Sequence, residues 1–403
     1  MVRSALPTAN PSADAAAVLR RLGFAILLFA IPPAALFTRR ALVVMAPLAV
    51  ALIVLAAFLD GTAKNPWQRA VGFVSSRAGV AGLVLVLWAA LSLVWTPFVP
   101  QASERLLNIV AMGLMAVAGY LALPERMRSA NLYLLPVGVG LAALIAISML
   151  LREQGRLEPD GLGVERGMVV LVLLLWPAVT WLHSRGRNLE AVALALAVAL
   201  GAFLTADVLP LIGLAVGGVV FALTAVSART GSRLVGLLMA VLLLAAPALP
   251  FLLKPLAGSI LGSPSSIVAS LDAWQALILK EPLRLVTGHG LETSWRGRMF
   301  GLVPPAAPFS LLFEIWYELG MVGAASGAIL LSQAAFNAGS TRPILGPGIM
   351  ASFGSAFALG ACGIGTAQVW WFTALVVLVL VFVAVERGQF RTKRPKAMLR
   401  RLR

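Results

Sequence analysis

An all-α polytopic integral membrane protein of about twelve spans, with one long outer loop between the ninth and tenth, is the fold class that this sequence predicts. Three observations predict it. Of the 403 residues 60% are hydrophobic and only 12% charged, and mean hydropathy is +0.94, whereas soluble domains average about 25% charged residues. The apolar residues fall in runs of membrane-crossing length broken by short polar turns. Arginine and lysine concentrate on alternate turns, so the net charge of +16 collects on one side of the bilayer. That distribution argues against nucleic acid, the partner a basic chain first suggests.

In chain order, Leu22–Phe37 and Ala41–Leu59 carry no ionisable residue and read as scaffold. Pro32-Pro33 also suit a signal-like segment, but no small-residue cleavage site precedes Arg39-Arg40, which favours a span. Those two arginines lie on an outer turn against the general charge pattern. Ala78–Thr96 ends in LSLVWTPFVPQASERLLNIV (Leu91–Val110), in which Trp95 is an interfacial anchor, the prolines bound a short outer turn, and Ser103-Glu104 open the helix of span Leu106–Leu123. Arg105 stands at the mouth of that span, either snorkelling to the interface or serving a site.

Leu132–Leu151 leads to an outer loop with balanced charge (Leu151–Met168), which a plain solvated loop also explains. Met168–Leu182 follows, with His183 as an interfacial residue on the inner side. Between Ala191–Thr205 and Leu211–Val226, Asp207 is isolated near the membrane surface. Near-membrane carboxylates are functional candidates by default, and a cap for the following helix, with Pro210 in its first turn, is an equally simple account.

Beyond span Leu234–Leu252 lies the interval too polar for lipid, Lys254–Gly320. Ser265-Ser266 can cap a helix over 267–282 in which Ile267, Leu271, Trp274, Leu277 and Ile278 recur at helical spacing. Gly288-His289-Gly290 reads as a flexible turn presenting a histidine, with Arg296 and Arg298 close behind. Farther on, Ser310, Glu314 and Glu318 share one helical stripe beside Phe309, Phe313 and Tyr317. A polar stripe beside an aromatic one suits sugar binding, and equally an ordinary interfacial helix. Gly320–Phe336, Pro347–Thr366 and Val369–Val385 complete the spans, with small residues around Cys362 for close packing. The basic tail from Arg391 to Arg401 suits anionic headgroups of membrane lipids. The chain divides into spans at 1–253, a loop at 254–319, spans at 320–386 and a tail at 387–403.

The Trp95–Arg105 stretch, the Trp274 helix followed by proline and Gly-x-Gly, and Glu318-Leu319-Gly320 with Gly323 together resemble the O-antigen ligase and Wzy-type O-antigen polymerase family. The resemblance implies a membrane glycosyltransferase that transfers or polymerises glycan from undecaprenyl pyrophosphate. It places the outer loop in the periplasm, the chain in the bacterial inner membrane and both termini in the cytoplasm. The acceptor would be a glycan or a lipid A-core. Departures occur where the family has an arginine (Asp207 and Ser270 here) and a His-Asn pair (Phe309-Ser310 here). His289, Glu292 or Glu314 then become the candidates for the base. Arg296 and Arg298 become candidates to clasp the pyrophosphate, with Arg152 and Arg156 from the family's basic loop, and Arg105, Asp207 and Glu318 as further binding candidates. The donor is already an activated phosphate ester, so no cofactor is expected. Neither the two histidines nor the ligand spacing suggests a metal. A lipid-linked glycan flippase or transporter, and a non-catalytic partner in envelope polysaccharide assembly, are the alternative readings.

Overall fold

The computed structural model describes residues 11–61, 66–125, 127, 129–153, 162–261, 265–341 and 344–389. Among them every regular element is helical. In order these are α1 (Pro11–Phe24), α2 (Ile31–Phe37), α3 (Arg39–Leu59), α4 (Pro66–Val74), α5 (Arg77–Leu91), α6 (Val99–Ala122), α7 (Ser129–Leu132), α8 (Leu134–Glu153), α9 (Leu162–Ser184) and α10 (Asn188–Leu204). There follow α11 (Leu209–Val226), α12 (Ala228–Leu244), α13 (Leu249–Leu261), α14 (Ser266–Lys280), α15 (Arg284–Thr287), α16 (Thr293–Met299), α17 (Leu311–Thr341), α18 (Gly346–Cys362) and α19 (Val369–Arg387). The basic tail and Arg156 lie outside the described residues.

Among the described residues nine helices are long and apolar enough to cross a membrane, and α12 with the helix after it, bent by 58°, makes a tenth if taken as one span. Two shorter apolar helices, α10 and α18, fall below that length, so the predicted twelve exceeds what length and composition alone establish. The first span starts at Pro11 rather than Leu22, because a π-helical turn (Ala25–Ala30) joins α1 to α2. Pro32 and Pro33 stand just beyond it, at the start of α2, where absent N–H donors do least harm.

Burial separates core from periphery. The apolar window of α9 is 83% buried, against 17% for α5 and for α6, so α9 is the central post and α5 and α6 present most of their surface outward. Around α9 stand α2, α8, α10, α11, α18 and α19. Trp176 on α9 donates to Ser355 Oγ at 2.8 Å, and that hydroxyl donates to Gly213 O at 2.7 Å, tying α9, α18 and α11 together. At one end of the bundle the ion pairs Arg20–Asp60, Arg69–Glu125 and Arg187–Glu190 gather. Both described termini are there as well: Arg387 O accepts from Met127 N at 3.2 Å, and Met127 lines a cavity with Asp14 of α1.

The two short helices run from that end to the other. α18 starts with Gly346 against Ala228 and finishes with Gly363 against Leu209. α10 leaves the turn after α9 and ends at a loop where Asp207 interacts electrostatically with Glu165 in the first turn of α9.

At the second end the chain between α12 and α17 folds into a cap. Lys254 pairs with Asp272 across α13 and α14, Ser265 Oγ accepts from Ile267 N at the start of α14, and Trp274 packs edge-on to Phe313 at 5.7 Å. Leu277 and Ile278 pack against the same cluster, whereas Ile267, which shares their periodicity, is 54% exposed.

α17 is broken at Gly320 (φ 61°, ψ −154°). A break frees the carbonyls of the turn before it, and free carbonyls beside lipid are costly. Here the neighbours take them: His289 N donates to Tyr317 O at 2.8 Å, Gly290 N to Glu318 O at 3.0 Å, and Trp88 Nε1 to Leu319 O at 2.8 Å. A Cβ on Gly288 would lie 2.2 Å from Glu318 O, and one on Gly320 2.6 Å from Val286 O. The Gly-x-Gly turn is therefore not the flexible presenter of histidine expected from the sequence; its glycines let two backbones touch. Gly320→Ala should cost about 1–3 kcal/mol, the usual scale for a side chain in a glycine-only conformation. Thermal unfolding in detergent measures this, with Gly113→Ala, inside α6 with no neighbouring element within 4 Å, expected to equal or slightly exceed the parent.

Candidate functional site

Beside that break, α6, α16, α17 and the turn before α19 converge on one guanidinium. Arg105, only 8% exposed, sends Nη1 to Glu292 Oε2 at 3.1 Å and to both oxygens of Glu318 at 3.0 Å, and Nη2 to Thr366 Oγ1 at 2.6 Å. Thr366 passes the contact on, donating from both its hydroxyl and its backbone N–H to Glu314 Oε2 at 2.5 Å. Glu318 Oε1 also accepts from Ser294 N at 3.2 Å and from the Ser294 hydroxyl. One buried cation thus gathers two carboxylates and a hydroxyl from three separate stretches of chain.

These groups differ in what they leave open. Glu318 has both oxygens engaged and no place on the cleft. Glu314, 2% exposed, has Oε2 engaged and Oε1 without a hydrogen-bond partner among the described residues, close enough to Gly365 that a Cβ there would stand 2.7 Å away. Glu292 lies 3.7 Å from Arg296 through Oε1 and is the one non-glycine residue with positive φ (72°) among those described. A non-glycine residue held in that region costs energy that neighbours must supply, and here Arg105 fixes the side chain. Burial pushes the Glu292 carboxyl above the ordinary glutamate range, with Arg105 opposing the shift.

Above the cluster opens a cleft of about 270 Å³. Gln101, Glu104, Arg105 and Asn108 line it from one face of α6, Trp295 and Phe309 supply aromatic walls, and Glu292, Glu314, Arg296 and Gln368 complete its polar lining. Such a mixture of flat apolar faces and convergent polar groups is the usual composition of a small-ligand site.

The residues singled out in the sequence separate into two groups. Arg105, Glu292, Glu314, Glu318 and Arg296 are brought together. Arg298 stands beside them, yet its donors hold the backbone: Nε to Ser294 O at 3.3 Å, Nη1 to Ala307 O at 2.8 Å and Nη2 to Pro308 O at 2.7 Å, with its guanidinium 3.6 Å over the Phe309 ring. It shapes the cleft wall instead of entering it, and burial lowers its pKa. His289 belongs to another small cavity with Glu281, Arg284 and Trp274. Its ring stacks on Tyr317 at 4.0 Å, Nδ1 lies 3.1 Å from Tyr317 O and Nε2 3.4 Å from Glu281. Burial lowers its pKa against these partners, so it is neutral near pH 7.

Asp207 caps α11, Oδ1 accepting from Leu209 N at 2.9 Å, and takes no part in the cluster. Nor does Arg152, exposed at the end of α8. Ser294 and Thr366 were not singled out in the sequence. Thr366, in the Gly-Ile-Gly-Thr turn between two apolar helices, is the polar residue that position could have flagged. No group of His, Cys, Asp and Glu among the described residues is arranged to hold a metal ion.

No family model, no curated protein and no solved structure matches this chain.

Removing one partner of a buried ion pair strands the others, at about 3–5 kcal/mol. Arg105→Gln should accordingly lower the melting temperature in detergent at pH 7. The raised Glu292 carboxyl fixes the sign of the pH dependence. A proton on it favours the folded state, so the deficit of the variant relative to the parent should shrink as pH falls from 7 toward 5. An unchanged deficit across that range would mean that the carboxylates do not depend on this cation.

Proposed function

We propose that this chain is a membrane glycosyltransferase of the O-antigen ligase and polymerase type, acting on undecaprenyl-pyrophosphate-linked glycan at the periplasmic face of a bacterial inner membrane. Twelve crossings belong to the same reading, since α10 and α18 both run from the basic end of the bundle to the cleft end. The excess of arginine at the end that holds both described termini supports a cytoplasmic location for them.

The observation that carries the reading is the Glu314 carboxylate. Oε2 is fixed by Thr366 while Oε1 is left for the cleft, under Trp295 and Phe309 and beside amide side chains that suit sugar hydroxyls. Glu314 serves as the general base. It takes the proton of an acceptor hydroxyl as that oxygen bonds to the anomeric carbon of the donor, and the bond from that carbon to the pyrophosphate oxygen breaks. The polyprenyl pyrophosphate leaves with its charge met by Arg296, the cleft guanidinium that is not committed to backbone carbonyls and that Glu292 holds at 3.7 Å. Glu318 and Glu292 position Arg105, and through Thr366 Arg105 positions Glu314. The missing family histidine is in this way replaced by a carboxylate from the following helical turn. Location of the charges at helix ends, away from the middle of the spans, disfavours a transport path.

Purified protein incubated with a lipid-linked glycan and an acceptor, scored for coupled or polymerised product, tests the proposal. Glu314→Gln should reduce the rate by about 10²–10⁴-fold, the contribution expected of a general base, with an unchanged melting temperature. Arg296→Ala should raise the donor KM more than it lowers kcat. Full activity of Glu314→Gln, or no product from the parent protein, removes the assignment.

A further inference from the structure

The cleft carries more negative charge than its own cations answer. Glu104, Glu292 and Glu314 line it and Glu318 lies just beneath, four carboxylates against the three guanidinium groups of Arg105, Arg296 and Arg298, of which Arg298 has its donors held by backbone carbonyls. Arg105 hydrogen bonds Glu292 and Glu318. Glu104 and the Oε1 of Glu314 receive no guanidinium, although the Glu314 side chain is almost wholly buried and opens into the cleft. Arg105 and Arg298 act on Glu314 through space, without a hydrogen bond to it; a buried carboxylate compensated only in this way is costly, so a group that enters here gains most if it is positive.

The remaining lining narrows the ligand further. Gln101 and Asn108 stand one turn to either side of Glu104 and Arg105 on α6, and neither has a side-chain partner among the described residues. Asn108 lies two turns into a membrane helix, where an unpaired amide is poorly tolerated unless something meets it. Gln368 faces them from the turn before α19, and Trp295 and Phe309 add flat apolar surface. Hydroxyl partners, a ring face and an anionic pocket occur together.

We infer that the saccharide seated in this cleft bears a free amino group, bound as an ammonium at the carboxylate of Glu104 and drawn by the negative field of Glu314, whose Oε1 stays open for the acceptor proton, with its hydroxyls on Gln101, Asn108 and Gln368. The inference deepens the transferase reading and rests on it for the saccharide, though not for the ammonium. An amino sugar carries all the features required: the ring face packs on Trp295, and the cation offsets charge that a neutral hexose leaves standing. An N-acetylated sugar loses that cation.

Binding of four probes to the full chain in lipid nanodiscs at pH 7, followed by calorimetry and by the fluorescence of Trp295 with a Trp295→Phe control, provides the test. The probes are glucosamine, N-acetylglucosamine, glucose and ethanolamine. Glucosamine should bind at least about 10-fold more tightly than the other three. Glu104→Gln should erase most of the preference over glucose while leaving the weak binding of glucose itself. Equal binding of the three sugars overturns the ammonium and leaves a saccharide site standing. Ethanolamine binding as well as glucosamine does the reverse, keeping an ammonium site and removing the sugar. If no probe binds to protein of normal melting temperature, both fall.

Discussion

A guanidinium withdrawn from water at the start of a membrane helix must be compensated, and the cleft end of this protein is arranged around that requirement. Arg105 draws Glu292 from the turn after α15, Glu318 from the last helical turn before the α17 break and Thr366 from the loop before α19. These residues are far apart in sequence, and one side chain joins the three segments. A buried ion pair adds little net stability over well-packed apolar groups. What it gives here is a fixed arrangement: Glu314 is oriented through Thr366, and Glu292 is held in a backbone conformation that its side chain would not otherwise favour.

The broken helix serves the same arrangement. Had α17 continued straight through Gly320, the carbonyls of Tyr317, Glu318 and Leu319 would have been satisfied within the helix, and the 288–290 turn would have had no anchor. Because they are free, the turn docks by two backbone bonds and α5 by an indole. The loop between α12 and α17 is thereby registered against α17 to within a hydrogen bond, which places Glu292 and Ser294 opposite Glu318.

Much of this was legible in the chain, and the rest was not, for identifiable reasons. Hydropathy located the helices, because each apolar run is a physical requirement of the bilayer. Charges at span ends marked Arg105 as a candidate, since lipid makes such residues rare, and the Glu-Leu-Gly motif marked Glu318, but nothing in the sequence joined the two. The Gly-x-Gly turn was read as mobile because sequence reveals that a glycine is permitted a conformation but not which backbone comes near it. Arg296 and Arg298 look equivalent in sequence. Only the fold of 300–308 separates them, by turning the carbonyls of Ala307 and Pro308 toward Arg298. His289 drew notice as a lone histidine, and its stacking on Tyr317 depends on the helix break, which Gly320 alone does not announce. The count of spans stayed ambiguous where α10 and α18 fall short of a full apolar length.

The docked turn also bears on how a ligand arrives. Lifting the 288–290 segment would expose carbonyls of Tyr317 and Glu318 to a poorly hydrated surrounding, with no ready substitute donor. The turn that leads into Glu292 on the cleft wall is a doorpost, not a shutter. The cleft is lined as well by Gln101 and Asn108 of α6 and by Val369 at the head of α19, side chains that take no part in that docking.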